Sequence, residues 1–142
     1  MTTVQQIFDM AIHLMDEQNE SNGATGTVDT GEYKYRTISI LNSVIPRLYP
    51  YSGTYEDSGE ARTAPAQLKA GDYSKPDFTQ QIPLDDVLSL SLLPYYLAAQ
   101  LLSAENESLS AWFLNMYREN LADLRSKAVA DFEAISTPYG LF

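Results

Sequence analysis

The sequence predicts an all-α fold: a four-helix bundle-like domain with a long loop between helices 2 and 3 and a long C-terminal helix. Two observations support this class. Four segments carry apolar residues at the three-to-four spacing of amphipathic helices, and capping residues precede them. The chain of 142 residues, 44% of them hydrophobic, is also long enough to bury a core. We expect residues 1–142 to form a single domain.

The first helix is predicted from about Thr3 to Asn19. Thr3 and Gln6 have the spacing of a capping box. Apolar residues then recur on one face, namely Val4, Ile7, Phe8, Ala11 and Met15. The following stretch, 19–30, is rich in Asn, Ser, Thr and Gly and predicts a flexible connection.

The second helix is predicted from about Thr30, because Asp29 and Glu32 form another N-terminal capping signature. Pro46 lies inside the apolar pattern, where it removes a backbone donor and crowds the preceding turn. We therefore expect the last turn to be kinked or terminated there, with Pro50 ending the helix in any case.

Residues 50–83 are predicted to form a long loop, because glycines and prolines interrupt every periodic pattern. Only the stretch 78–82 has a faint strand-like character. Loops longer than about 15 residues are uncommon in compact domains and tend to be either functional or disordered.

The best-patterned region is a helical hairpin from Asp85 to Glu133. Asp85 or Asp86 can cap the third helix, which is apolar on most sides and is therefore predicted to be buried. Pro94 should bend this helix. The short polar turn at 103–108 predicts that helices three and four are antiparallel neighbours.

The fourth helix is predicted to begin near Asn106 or Ser108 and to continue to Ala134, a length of roughly 40 Å that can extend beyond a small bundle. Its aromatic residues share one face, which favours core packing over a stacking platform for bases or a ligand. These residues are Trp112, Phe113 and Tyr117. A short, mostly apolar tail, 135–142, follows.

The charge of the chain limits its partners. Nine Lys and Arg against nineteen Asp and Glu give a net charge of −10, which disfavours direct binding to nucleic acids and anionic membranes. A DNA channel or a DNA mimic remains compatible with this charge. The longest apolar region, 87–102, is too short to cross a bilayer, and no basic leader precedes an apolar stretch. We expect a soluble, cytoplasmic protein, and the lack of cysteine suits a reducing compartment.

No residue pattern indicates catalysis. The single histidine, His13, lies one step off the apolar stripe of the first helix, and no second imidazole completes a metal site or a nucleophile–base pair. A di-iron carboxylate site would need a Glu-x-x-His motif, which the sequence does not contain. The glycine-rich stretch 23–27 is not followed by the lysine of a phosphate-binding loop, so it does not predict a phosphate site. We therefore predict a protein that is not an enzyme, with no catalytic, cofactor-binding or metal-binding residue.

Aromatic and apolar residues outside the helical patterns are candidate anchors for a protein interface, because aromatic side chains are enriched at interface cores. The candidates in the loop and tail are Tyr51, Tyr55, Tyr73, Phe78, Ile135, Pro138, Tyr139 and Phe142. Packing of these residues against the protein's own bundle is the equally weighted alternative.

Three segments carry a resemblance to a known family. They are Tyr33–Ser43, with an aromatic and basic lead into a Leu-Asn step; Leu92–Leu102, with a Leu-Pro-Tyr step before Leu-Ala-Ala; and the long helix from Trp112 to Arg125. In these segments and in the order of its elements, the chain resembles the head-to-tail connector (adaptor) proteins of long-tailed bacteriophages and prophages.

The resemblance implies a structural virion protein. About twelve neighbouring copies would form a homo-oligomeric ring below the portal protein, continue the DNA channel without specific DNA binding, and receive the next head-completion or tail protein. The protein would assemble in the host cytoplasm and lie at the head–tail interface of the virion. The alternatives are a stand-alone acidic interaction module, such as a DNA mimic or regulator, and an enzyme with an unrecognised carboxylate site.

Overall fold

A computed structural model describes residues 1–17, 19–52, 67–72 and 74–136, with side chains described up to residue 126. Four helices and one 3₁₀ turn form these parts: α1 Val4–Met15, α2 Gly31–Leu48, the turn Tyr49–Tyr51, α3 Asp86–Leu102 and α4 Glu107–Ser136. The described residues contain no β-strand, only one isolated bridge. The predicted all-α, bundle-like fold is confirmed.

Helix α1 begins where the sequence predicts because both halves of the capping box form. The Gln6 backbone N–H donates to the Thr3 hydroxyl at 3.3 Å, and the Thr3 N–H donates to the Gln6 side-chain oxygen at 2.9 Å. The helix stops at Met15, earlier than the predicted end near Asn19. Asp16 adopts a left-handed conformation, with φ of 59°, which ends the helical hydrogen-bond pattern.

Helix α2 does not use the predicted capping pair. Thr30 is the N-terminal cap residue, and no side chain caps the helix. The buried Thr30 hydroxyl instead donates to the Thr25 carbonyl at 2.6 Å, while Asp29 is exposed. Pro46 is accommodated within α2, which continues to Leu48 and then tightens into the 3₁₀ turn, so Pro46 does not terminate the helix.

Helix α3 is the central element, because it packs against α1, α2 and α4. Two side-chain hydrogen bonds show its antiparallel pairing with α4. The Ser110 hydroxyl donates to the Ala99 carbonyl at 2.7 Å, and the Asn120 amide donates to the Ser91 carbonyl at 2.9 Å. The predicted hairpin is therefore confirmed, and Asp85 caps α3 by accepting from the Leu88 N–H at 2.9 Å.

The second half of the predicted loop is part of the core. The stretch predicted as strand-like forms a single bridge, between Gln81 and Thr3, at the start of α1. Around it, the Val4 N–H donates to the Gln80 carbonyl and the Gln5 N–H to the Phe78 carbonyl, each at 2.9 Å. Three apolar side chains from this half are buried, namely Leu68, Phe78 and Ile82, and Leu84 directly after it is buried as well. These apolar side chains therefore cover the bundle, while most of the polar residues between them are exposed.

Within the described residues, no helix combines the length and the apolar character needed to cross a membrane.

Candidate protein interface

The structure separates the predicted interface residues into three groups. Tyr51 lies on the surface and is 49% exposed, whereas Phe78 is 7% exposed and its ring packs against Phe8 with centroids 5.2 Å apart. For Phe78 the structure therefore shows the alternative use, packing within the chain's own bundle. The remaining candidates lie outside the residues or side chains that the structure describes: Tyr55, Tyr73, Ile135, Pro138, Tyr139 and Phe142.

Tyr51 is the last residue of the 3₁₀ turn that follows α2. Beside it, Ser52 connects the turn to Asp85: the Asp85 N–H donates to the Ser52 hydroxyl at 3.0 Å, and that hydroxyl lies 3.4 Å from an Asp85 carboxylate oxygen. On the other side, the Arg125 guanidinium of α4 lies 5.5 Å from the centre of the Tyr51 ring. This distance fits a cation–π contact. Tyr51 is therefore held between α3 and α4.

An open groove of about 330 Å³ lies between these elements. Its walls come from the 3₁₀ turn, the first turn of α3 and the middle of α4, and its lining is predominantly apolar. The lining residues are Pro50, Tyr51, Asp85, Val87, Leu88, Leu121, Leu124 and Arg125. We call this feature the apolar groove. Concave, mostly apolar sites with a few charged groups are typical binding sites.

A second depression of about 310 Å³ is lined by residues of α3 and α4. Leu124 lines both this depression and the apolar groove. The second depression is lined by Leu90, Ser91, Tyr95, Asn120, Asp123 and Leu124.

Two apolar residues that line these depressions were predicted to be buried and are not. Val87 is 60% exposed and Leu90 is 40% exposed, whereas most other apolar residues of α3 lie in the core. Helix α3 is apolar on more sides than α1, α2 and α4 can cover. The sequence already indicated that α3 needs a further partner, because a helix that is apolar nearly all round must be covered on every side.

Helix α4 is only partly covered, because it packs chiefly against α3. Phe113 is fully buried, but the neighbouring Trp112 is 54% exposed. The prediction that Trp112 belongs to the core is therefore wrong. Its ring lies edge-on to the Phe113 ring, with the two ring centroids 5.1 Å apart. Tyr117 is half-buried against Tyr96, and this burial raises the pKa of the Tyr117 hydroxyl.

The segments that carry the family resemblance join α2 to its neighbours. The Tyr33 hydroxyl donates to the Glu105 carboxylate at 2.5 Å, and the Arg36 guanidinium donates to the Leu101 carbonyl at 3.0 Å. The second contact satisfies a carbonyl in the last turn of α3, where a positive charge is favoured. Asn42 makes two hydrogen bonds with the backbone of Leu68. These polar residues of α2 therefore have structural partners within the chain.

His13 has a structural contact of the same kind. Its Nε2 atom lies 3.0 Å from the Gly23 carbonyl, and the Thr25 hydroxyl donates to Asp9 at 2.6 Å. Both contacts hold the connection after α1 against the helix. Near it, a polar depression of about 570 Å³ is lined by Asp16, Glu17, Asn19, Glu20, Ser21, Thr27 and Asp29. Among the described pockets, this depression beside the α1–α2 connection therefore has the most acidic side chains.

In the part of the chain that the structure describes, no group of three or more histidine, aspartate or glutamate side chains is arranged to hold a metal ion. No protein-family model matches the chain, and no curated protein or solved structure matches it. The fold and the described surface define a small all-α protein with an open apolar groove on its C-terminal hairpin.

Proposed function

We propose that this chain is a structural assembly protein, a head-to-tail connector subunit that forms a ring below the portal of a long-tailed bacteriophage or prophage. The observation that carries the proposal is the apolar groove, which stays open in the single chain with Val87 60% exposed at its rim. An exposed apolar surface of this kind gains free energy when a partner covers it.

The construction of the groove suits assembly. Hydrogen bonds between α3 and α4 hold two of its walls together, and the Ser52–Asp85 contacts hold the chain beside the 3₁₀ turn to the start of α3. A partner would therefore meet a preformed surface, and binding would cost little ordering of the groove itself. In the connector, the partners are the portal protein, neighbouring copies and the next head-completion or tail protein.

The charge of the chain supports the same function. A net charge of −10 repels DNA, which suits a ring through which DNA passes without being held. In this proposal the protein assembles in the host cytoplasm and acts at the head–tail interface of the virion, with no catalytic step.

The proposal is tested by mixing the purified protein with the portal of its phage or prophage and imaging the particles by electron microscopy. We expect an added ring on the portal. A Val87→Asp variant should fail to add the ring, because the charge lies in the groove, whereas Asp in the first turn of α3 is compatible with the helix dipole. Val28→Asp is the matched control, since Val28 is 98% exposed and lies in the α1–α2 connection.

The wild-type protein and the Val28→Asp control should both add the ring. If Val87→Asp and Val28→Asp bind the portal equally well, the apolar groove does not take part in the contact with the portal. No added ring with the wild-type protein at any concentration would refute the connector proposal itself.

One observation favours the second candidate, a stand-alone acidic module such as a DNA mimic or regulator. The polar depression beside α1 brings Asp16, Glu17, Glu20 and Asp29 to one surface. A mimic would compete with DNA for a basic partner, so a competition assay separates the two functions. Charge reversal at Glu20 would weaken a mimic and leave a connector's groove contact unchanged.

A further inference from the structure

The apolar groove and the end of α4 lie far apart on the molecule. The groove is bounded by Leu121, Leu124 and Arg125, and α4 continues from there to Ser136. At a rise of 1.5 Å per residue, these eleven or so further residues carry the chain roughly 16 Å along the helix axis, away from the groove. Helix α4 therefore delivers whatever follows Ser136 to a distant point.

The sequence that follows is apolar. Residues 137–142 read Thr-Pro-Tyr-Gly-Leu-Phe and include three large apolar side chains, those of Tyr139, Leu141 and Phe142. Six residues span at most about 20 Å when fully extended. Only the last of them could therefore return to the groove of their own chain, whereas the groove of a neighbouring chain imposes no such limit.

We propose that the apolar groove of one copy receives Tyr139, Leu141 and Phe142 of a second copy. This inference rests on the proposed ring function and specifies its contact between neighbouring subunits. The occupant fits the groove chemically, because Val87, Leu121 and Leu124 offer apolar walls to its apolar side chains. A cavity of about 150 Å³ accepts one benzene ring, so about 330 Å³ can take about two aromatic rings.

The proposed contact uses two different surfaces of each copy. Each copy would use its groove to accept one neighbour and its residues 137–142 to contact another, so the two contacting surfaces differ. Such heterologous contacts generate closed rings when the rotation closes, and open filaments when it does not. A single repeated contact of this kind is sufficient to build the ring of the proposed function.

Disulfide trapping tests the proposal directly, because the chain contains no cysteine. One variant carries Val87→Cys at the groove rim, and the other carries Gly140→Cys, which leaves the three apolar side chains in place. After mixing and mild oxidation, we expect a covalent dimer of the two variants. A Val28→Cys variant paired with Gly140→Cys is the control, and we expect about tenfold less dimer from it.

Both cysteines are then placed on one chain. Transfer between copies gives a ladder of covalent dimers, trimers and larger species, which supports the proposal. An intrachain disulfide in a monomer overturns it, as does equal cross-linking with Val28→Cys. The portal experiment is independent of this result. A ring on the portal without the cross-link between positions 87 and 140 would refute the proposed contact of residues 137–142 and would still support the connector function. A ladder of cross-linked species without binding to the portal would support the contact between copies and refute the connector function.

Discussion

The Asn42 side chain forms a pair of hydrogen bonds with the backbone of Leu68. Its amide nitrogen donates to the Leu68 carbonyl and its oxygen accepts from the Leu68 N–H, both at 2.9 Å. The Asn42 amide thus satisfies both backbone groups of Leu68, as a neighbouring β-strand would. It fixes the backbone where Leu68 enters the core, at 5% exposure, and it joins the long α2–α3 segment to the middle of α2.

We predict that Asn42→Ala lowers the free energy of unfolding by about 2 kcal/mol, because each of the two lost hydrogen bonds contributes about 1 kcal/mol. Urea denaturation measures the change. The control is Asn115→Ala on the exposed face of α4, which should change stability by less than about 0.5 kcal/mol. An equal loss in both variants would contradict a specific role for the Asn42–Leu68 pair.

Two adjacent aromatic residues of α4 should differ sharply in their contribution to stability. Phe113 is 1% exposed, so Phe113→Ala should cost about 3–5 kcal/mol through lost burial and a cavity. Trp112 is mostly exposed and makes an edge contact with Phe113, so Trp112→Ala should cost about 1 kcal/mol. Thermal and urea unfolding of both variants measure the difference.

The exposure of Trp112 can also be checked without a variant, because it is the only tryptophan in the chain. In the folded protein, acrylamide should quench its fluorescence almost as strongly as in the unfolded protein. Strong protection from quenching in the monomer would place Trp112 in the core and refute the exposed position.

The two predicted helix caps should respond differently to substitution. Thr3→Ala should lower the free energy of unfolding by about 1 kcal/mol, because Thr3 and Gln6 form the full capping box of α1. Asp29→Ala should cost less than about 0.5 kcal/mol, since no side chain caps α2. Equal losses in the two variants would show that Asp29 caps α2 in solution.

Stability should fall at alkaline pH because of the contact between Tyr33 and Glu105. Burial and the Glu105 carboxylate raise the pKa of Tyr33 above its ordinary value of 10. A pKa that is raised on folding adds stability below the unfolded value, and this stability is lost as the pH rises towards the folded value. The free energy of unfolding should therefore decline above about pH 10.

A Tyr33→Phe variant tests this decline. It lacks the hydrogen bond to Glu105, so we expect it to be less stable than the wild type by about 1–2 kcal/mol at pH 7. Because it cannot titrate at position 33, the difference should shrink above pH 10. A difference that stays constant from pH 7 to pH 11 would argue against the raised pKa.

Helix positions followed from the sequence because apolar spacing and capping residues are local signals. Asp85 caps α3 as predicted, and the hairpin of α3 and α4 has the predicted pairing. The end of α1 was missed because Asp16, which is not a glycine, adopts a left-handed conformation. Asp29 has the spacing of a cap, but the Thr30 hydroxyl bonds with the preceding turn instead.

The candidate interface was harder to predict because it depends on tertiary contacts. Tyr51 was identified as an aromatic residue outside the helical patterns, and it lies at the apolar groove. Phe78 had the same sequence signal but packs against Phe8. Val87 and Trp112 fit apolar helical patterns, and their exposure follows only from which sides of α3 and α4 lack a neighbour.

The bridge between Thr3 and Gln81 has a consequence for the order of folding. The first N–H groups of a helix have no partner within it, and those of Val4 and Gln5 find theirs on Gln80 and Phe78. Contacts between positions so distant in sequence form slowly, whereas the α3–α4 hairpin needs only local ones. The ribosome releases α1 first, yet α1 must wait for most of the chain before its own first turn is complete.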